Sequence, residues 1–318
     1  MRFESFFAFL SARFSFSDLP GFLLSFFCGA LLGIEGSSCP GVFAHGTSWS
    51  SRAACDHGRV SAQNVRRIGL DGPANFRDLG GYPAGSRRLR RGRVFRSDSL
   101  SRMSETDVRH VVDQLGLATV VDLRAGHEVE TYGHGPLGSE GVVVHHLPIA
   151  DETRPDRVER PPDAPDPSTL TLDRIYLLML ERYADRFVRV LRTLADESKH
   201  PIVFHCAAGK DRTGLVAALL LSLLGVDDET VAADYALTAE HVDELVDRHR
   251  AQAAAEGNAV EVDDAHLAAE AAVMLRVLAE LREHYGSTED YLLDHGLAPA
   301  AVAALRASLL EDGVERSV

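Results

Sequence analysis

The sequence predicts an α/β fold, a mainly parallel sheet flanked by helices, and three observations predict it. Short apolar runs such as Ala118–Leu123 (ATVVDL) and Ile202–Phe204 have the length and β-branched content of buried strands. Amphipathic stretches of helical period alternate with them from Val94 onward. The resulting order, strand, helix, strand, strand, helix, strand, helix, requires crossover connections, and these join parallel neighbours. In open sheets of this kind, ligands bind at the carboxyl ends of the strands.

Taken in order, residues 1–62 differ from the rest of the chain. Phe6–Leu10 and Phe22–Ile34 are apolar and aromatic, and 36–62 is rich in Gly, Ser and Ala without a period. The second run is shorter than a membrane span and has the length of a signal-peptide core, with Val42-Phe43-Ala44 offering small residues at cleavage spacing. Arg2 and Arg13 are balanced by Glu4 and Asp18, so the positive region of such a signal is weak. Three readings stay open for this stretch: an unstructured or spurious leader, a secretory signal over 1–44, and a membrane anchor.

The folded domain is expected over 63–318. Gly72–Tyr82 (GPANFRDLGGY) is dense in turn formers, and Arg77 beside Asp78 reads as a surface turn with a local ion pair. Arginine at 87, 88, 90, 91, 93 and 96 reads as a solvated hairpin, or as a collar attracting anionic substrate or lipid headgroups. Val94–Asp98 is a strand, and Ser104 with Asp107 is an N-cap signature for a helix bearing Val108, Val111, Val112 and Leu115 on one face. The strand Ala118–Leu123 leads out through Asp122 and Arg124, and Val142–Ile149 is another strand, carrying His145 and His146. Charged, proline-rich residues 152–168 predict a mobile loop. Leu172–Leu194 is expected as one amphipathic helix delivering the chain to Ile202–Phe204. Asp227–Gly257 and Val262–Tyr285 are long helical patterns, more than one sheet face needs, so 227–286 reads as a helical lid over the site or as ordinary packing. Ser287 caps a short helix, and Pro299–Leu310 is the last one.

Composition narrows the chemistry. A formal net charge of −14 argues against nonspecific nucleic-acid binding, which needs a basic footprint. No histidine spacing suits zinc, so neither a metal nor any other cofactor is expected. Cys28, Cys39 and Cys55 lie in the leader and Cys206 alone in the domain, which is no disulfide framework; a reducing, cytoplasmic compartment is the default, with secretion the alternative if 1–44 is a signal. Nothing in the sequence sets an oligomeric state.

One stretch concentrates reactive groups: Pro201–Gly214, PIVFHCAAGKDRTG. A buried strand runs through His205 and Cys206 into a loop of small residues, and the loop gives way to the helix Thr213–Leu224. Such a loop aims successive backbone N–H groups inward, and the helix dipole adds positive potential at the same place. Phosphate fits there, and the same field favours a nucleophilic thiolate at Cys206. Ala207, Ala208 and Gly209 let the backbone approach a phosphoryl group, while Arg212 closes the loop with a planar fork for two phosphoryl oxygens. An inert core cysteine describes this setting poorly. A nucleotide-binding loop fails because Phe204 stands where its first Gly belongs and Asp211 follows Lys210. A sulfur-transfer loop also uses Cys and Arg, but strand-His-Cys-x5-Arg-Thr-Gly fits phosphoryl transfer better.

HCAAGKDRTG resembles the catalytic signature of the protein tyrosine phosphatase superfamily, specifically that of bacterial tyrosine phosphatases with Lys-Asp before the loop arginine. NFRDLGG at 75–81, FRSDSLSR at 95–102, VVDLR at 120–124, VAADY at 231–235 and YGSTEDYL at 285–292 extend the likeness from about residue 66 to 310. The resemblance implies a metal-free, two-step hydrolysis of phosphotyrosine, with phosphoserine, phosphothreonine and phosphoinositides as further substrates of some members. It implies Cys206 as nucleophile, Arg212 and the amides of Ala207 to Arg212 as oxyanion holders, Thr213 as donor to the departing sulfur, His205 as loop organiser, and His205, Ala207, Ala208, Gly209, Lys210 and Gly214 as substrate-binding residues. For the general acid, Asp211 comes first and Asp122 second, with Asp151 and a supporting Asp78 behind them. Lys210 would favour multiply phosphorylated or lipid substrates. From a different functional class, a loop that binds phosphorylated partners without hydrolysis stays open, disfavoured by Cys206, Arg212 and Thr213 occurring together.

Overall fold

The computed structural model describes residues 66–150, 170–241 and 269–313. The leader, Asp151, the loop at 152–168 and the middle of the lid region therefore lie outside the described residues. In chain order come β1 (Arg77–Asp78), β2 (Pro83–Ala84), β3 (Arg87–Leu89), β4 (Val94–Ser97), α1 (Glu105–Arg109), β5 (Thr119–Asp122), α2 (Gly126–Tyr132) and β6 (Val143–His146). They are followed by α3 (Leu172–Arg182), α4 (Ala184–Leu194), β7 (Ile202–His205), α5 (Asp211–Leu223), α6 (Asp228–Ala236), α7 (Ala271–Tyr285), α8 (Thr288–Asp294), α9 (Pro299–Leu309) and β8 (Leu310–Asp312).

The α/β expectation holds. The main sheet has the order β1-β4-β7-β5-β6, with β4, β7, β5 and β6 parallel and β1 antiparallel at one edge. Its register aligns the carboxyl ends: Ser97 pairs with His205, His205 with Asp122, and Asp122 with His146. Every loop that leaves these strands therefore starts from one edge of the sheet. Side chains alternate across it, so Ile202, Phe204 and Val121 face the core made with α3 to α9, while Val203, Val120 and Phe95 face a second core beneath α1. α5 is apolar nearly all round and almost wholly buried, which a helix achieves only with packing on every side.

Capping chemistry places the helix starts. Ser104 and Asp107 form a reciprocal capping box, each side chain taking the other's backbone N–H. Ser287 accepts from the Asp290 N–H at the start of α8, and Pro299 opens α9 at a position where its missing N–H costs nothing.

The structure adds detail to three of these expectations. The helix read over Leu172–Leu194 breaks at Tyr183, whose dihedrals (φ −115°, ψ 25°) leave the helical region; its buried ring has the Arg182 and Arg186 guanidinium groups 5.6 and 5.3 Å from its centre. No Gly or Pro marks that break. The described parts of the lid region, α6 and α7, send Val231, Ala232, Val273, Met274 and Leu278 into the main core. The arginine-rich hairpin is tied down by a strand from the far end of the chain. β3 pairs with β8, Arg87 and Arg90 donate to the Leu310 carbonyl, Arg88 pairs with Glu311 and Arg93 with Glu197.

Candidate active site

Cys206 is buried where the chain leaves β7, at the aligned carboxyl edge. The loop after it is fixed by its carbonyl oxygens. Ala207 O accepts from the Ser99 N–H at 2.9 Å, Ala208 O from the Asn75 side-chain amide at 3.3 Å, and Gly209 O from Asn75 at 3.4 Å and Arg96 at 2.7 Å. A trans peptide points its N–H opposite to its carbonyl. Pinning these three oxygens therefore turns the N–H groups of Ala208, Gly209 and Lys210 away from the anchors, as an oxyanion cradle requires. No described residue accepts from the N–H of Ala207, Ala208 or Gly209. Gly209 itself has φ +67°, and a Cβ there would lie 2.7 Å from both the Asp98 nitrogen and the Ser97 oxygen, so only glycine fits.

Behind the cradle lies a buried polar hub that sequence reasoning missed. Asp234, fully enclosed, takes Arg77 at 3.0 Å, Arg96 at 2.5 Å and the Tyr82 hydroxyl at 3.0 Å. Burial alone would raise its carboxyl, but the Arg77 and Arg96 guanidinium groups outweigh that and hold it well below the usual carboxylate range. Arg77 also donates to Asn75, and Arg96 to Gly209, so Asp234 reaches the loop through both of the side chains that grip it. The local ion pair expected between Arg77 and Asp78 does not form, because adjacent residues on a strand point to opposite faces. Asp78 instead accepts from the amides of Gly80 and Gly92 at 2.7 and 2.9 Å, tying together the two ends of the hairpin.

On the other side of β7, Asp122 takes Arg124 bidentately at 2.9 and 2.6 Å and His134 at 2.9 Å. Burial opposes its charge, yet His205 and Arg124 keep the carboxyl well below the usual range. A carboxyl held ionised in this way is a brace and has no proton to give. His205 donates from Nδ1 to the Cys206 carbonyl at 3.1 Å, and its Nε2 lies 3.7 Å from Asp122. Burial lowers its pKa to about 4, so it is neutral at pH 7 and organises the loop entry.

Arg212, on the first turn of α5, is gripped by Glu128 at 2.5 and 3.1 Å. Glu128 also accepts from the Ala125 N–H at 2.7 Å, so one carboxylate both starts α2 and aims the arginine fork. Nothing in the sequence singled it out, since its partner is 84 residues away. Thr213 is fully buried and its hydroxyl has no hydrogen-bond partner, so the expected contact with the Cys206 sulfur is not formed in this state. Lys210 is buried with its Nζ 3.7 Å from Asp211 Oδ1, and that same oxygen accepts from the Tyr176 hydroxyl. The structure thus brings Cys206, Asp211, Arg212 and Thr213 onto one loop and helix start, sets Asp122 beside them as a brace, and leaves Asp78 outside.

Comparison with known proteins agrees with this geometry. The chain is 30% identical over 276 residues to the triple specificity protein phosphatase PtpB of Mycobacterium tuberculosis, covering 76% of this chain and 98% of that one. It is 28% identical over 225 residues to a tyrosine-protein phosphatase of Nostoc commune, covering 69% of this chain and 74% of the relative. Residues 68–311 match the profile of one family as a whole, and the chain belongs to it: the tyrosine phosphatase family.

Proposed function

We propose that the protein removes phosphate from phosphotyrosine in proteins through a cysteinyl-phosphate on Cys206. The observation that carries this reading is the pinning of the Ala207, Ala208 and Gly209 carbonyls at the strand end that bears Cys206, which turns their neighbouring amides to an oxyanion. In the first step the Cys206 sulfur bonds to phosphorus as the tyrosyl P–O bond breaks. The electron pair of that bond goes to the phenolic oxygen, which takes a proton from Asp211. Arg212, aimed by Glu128, and the loop amides hold the equatorial oxygens. In the second step water attacks phosphorus, Asp211 takes its proton and the sulfur leaves as thiolate.

A phosphoinositide reading rests on Lys210. That side chain is buried and lies on Asp211, which supports a role within the site over recognition of a second, outlying phosphate. Purified wild type and Cys206→Ser, tested on a phosphotyrosine peptide, a phosphoserine peptide and phosphoinositide vesicles, decide among these readings. Turnover greatest on phosphotyrosine and abolished in Cys206→Ser is expected. Retained turnover in the variant would remove the nucleophile assignment, and binding without any turnover in wild type would make the loop a phospho-ligand module. Lys210→Met is expected to leave the ratio of phosphoinositide to phosphotyrosine turnover within about threefold, well inside the effect of a lost charge-assisted contact.

A further inference from the structure

Two buried tyrosines have no place in the steps above. Tyr176 lies on α3 and Tyr235 on α6, elements far apart in sequence, and their rings meet edge to face with centres 6.1 Å apart. Their hydroxyl oxygens are 2.8 Å apart, and the Tyr176 hydroxyl also donates to Asp211 Oδ1. A phenol has one proton. Since Tyr176 gives its own to Asp211, its oxygen accepts from Tyr235, and the chain of donors runs Tyr235 to Tyr176 to Asp211. Gly214, the last residue of the loop signature, makes room for this arrangement: a Cβ there would lie 2.9 Å from Tyr235 Cδ2.

We propose that Tyr176, oriented by Tyr235, is a positioning residue that selects which oxygen of Asp211 carries the catalytic proton. The proposal rests on the reading of Asp211 as the general acid. Oδ1 accepts the Tyr176 hydroxyl and lies 3.7 Å from the Lys210 ammonium, so a proton placed on that oxygen would stand against a donor and a positive charge. Among the described residues Oδ2 has no hydrogen-bond partner, which leaves it as the oxygen free to carry the catalytic proton. The Oδ2 proton passes to the phenolic oxygen as the P–O bond breaks, and the carboxylate left behind keeps the Tyr176 hydrogen bond. In the second step a water proton returns to the same oxygen. Burial keeps the Tyr176 phenol protonated throughout the working range, so it remains a donor in both steps.

Leaving-group dependence separates this role from a structural one. A good leaving group such as p-nitrophenolate departs without a proton, whereas the tyrosyl phenolate needs one. The full chain is assayed for kcat/KM, which reports the first step, on p-nitrophenyl phosphate and on phenyl phosphate. Tyr176→Phe is expected to lose about tenfold on phenyl phosphate, a fraction of what general acid catalysis supplies, and less than about twofold on p-nitrophenyl phosphate. Tyr235→Phe, which keeps Tyr176 and serves if the first variant does not fold, shows the same asymmetry at about threefold, the share of one neutral hydrogen bond. The double variant Tyr176→Phe/Asp211→Asn is expected to be no slower than Asp211→Asn. Equal losses on both substrates, or no loss, in the tyrosine variants while Asp211→Asn is leaving-group dependent would overturn the proposal. Equal losses for Asp211→Asn itself would instead overturn the reading of Asp211 as the acid.

Discussion

Asp234 and Asp122 are two buried carboxylates on either side of β7, both ionised against the pull of burial and both paired with arginine. Their connections differ. Asp234 holds two guanidinium groups, and both lead to the phosphate loop: Arg96 donates to Gly209 O, and Arg77 to the Asn75 that grips Ala208 O. Asp122 holds one, and Arg124 leads to the hydroxyls of Ser99 and Ser101 and to the Gly133 carbonyl, the segments that flank the site. It approaches the loop through His205, at 3.7 Å, and at one remove through Ser99, whose backbone N–H holds Ala207 O. Removing water from a charge is costly at either position, so neither pair is retained for stability alone. The difference teaches that the same buried Asp–Arg unit shapes an oxyanion cradle in one case and frames its walls in the other.

Substitutions sharpen that contrast. Asp234→Asn leaves Arg77 and Arg96 buried against each other without a counter-charge; about 5 kcal/mol of stability should be lost in urea unfolding, the upper end for a broken buried pair. The folded fraction should also bind vanadate weakly. Asp122→Asn should cost about 3 kcal/mol and leave vanadate affinity within about threefold, because one guanidinium is orphaned and no loop carbonyl is released. Equal loss of vanadate affinity in the two variants would erase the distinction. Gly209→Ala breaks the Asp234 side without touching a charge. Its Cβ must displace backbone at Ser97 and Asp98 from a positive φ, so a loss of about 1–3 kcal/mol and of most activity is expected, measured by unfolding and turnover on phosphotyrosine peptide.

Acidification offers a smaller test. His205 titrates at about 4 in the folded protein against an ordinary 6.5, so between those values the unfolded chain binds more protons and stability falls as pH falls. The two aspartates act lower. Their folded values lie below the ordinary 3.8, so their stabilisation is complete above that pH and is lost as pH drops beneath it. His205→Gln should flatten the first limb in a pH series of urea midpoints and keep the Asp234 part of the second. A first limb of unchanged slope in that variant would assign the titration to another group.

The sheet and the reactive loop were legible in the sequence because their signals are local. Buried strands are short apolar runs, the N-caps of α1 and α8 are Ser with an acid three residues on, and the loop writes nucleophile, small residues and arginine consecutively. What escaped was carried by partners distant in sequence. Asp234 looked like any acid on a helix until Arg77 and Arg96 converged on it from 157 and 138 residues away. Glu128, Tyr176 and Asn75 gain their meaning in the same way, each from long-range hydrogen bonds. Asp122 is a related case: its place at a strand end is visible in the sequence, but the side chains of Arg124 and His134 that converge on it are not. The break at Tyr183 left no trace because nothing in its composition disfavours a helix.

The central claim is that Cys206 carries the phosphoryl group between two steps. Rapid quenching of wild-type protein during turnover of a phosphotyrosine peptide, followed by peptide mass mapping, tests it directly. The account predicts one phosphoryl group on the peptide containing Cys206, with none on Cys206→Ser. Phosphate on another residue, or turnover that continues in Cys206→Ser, would contradict it.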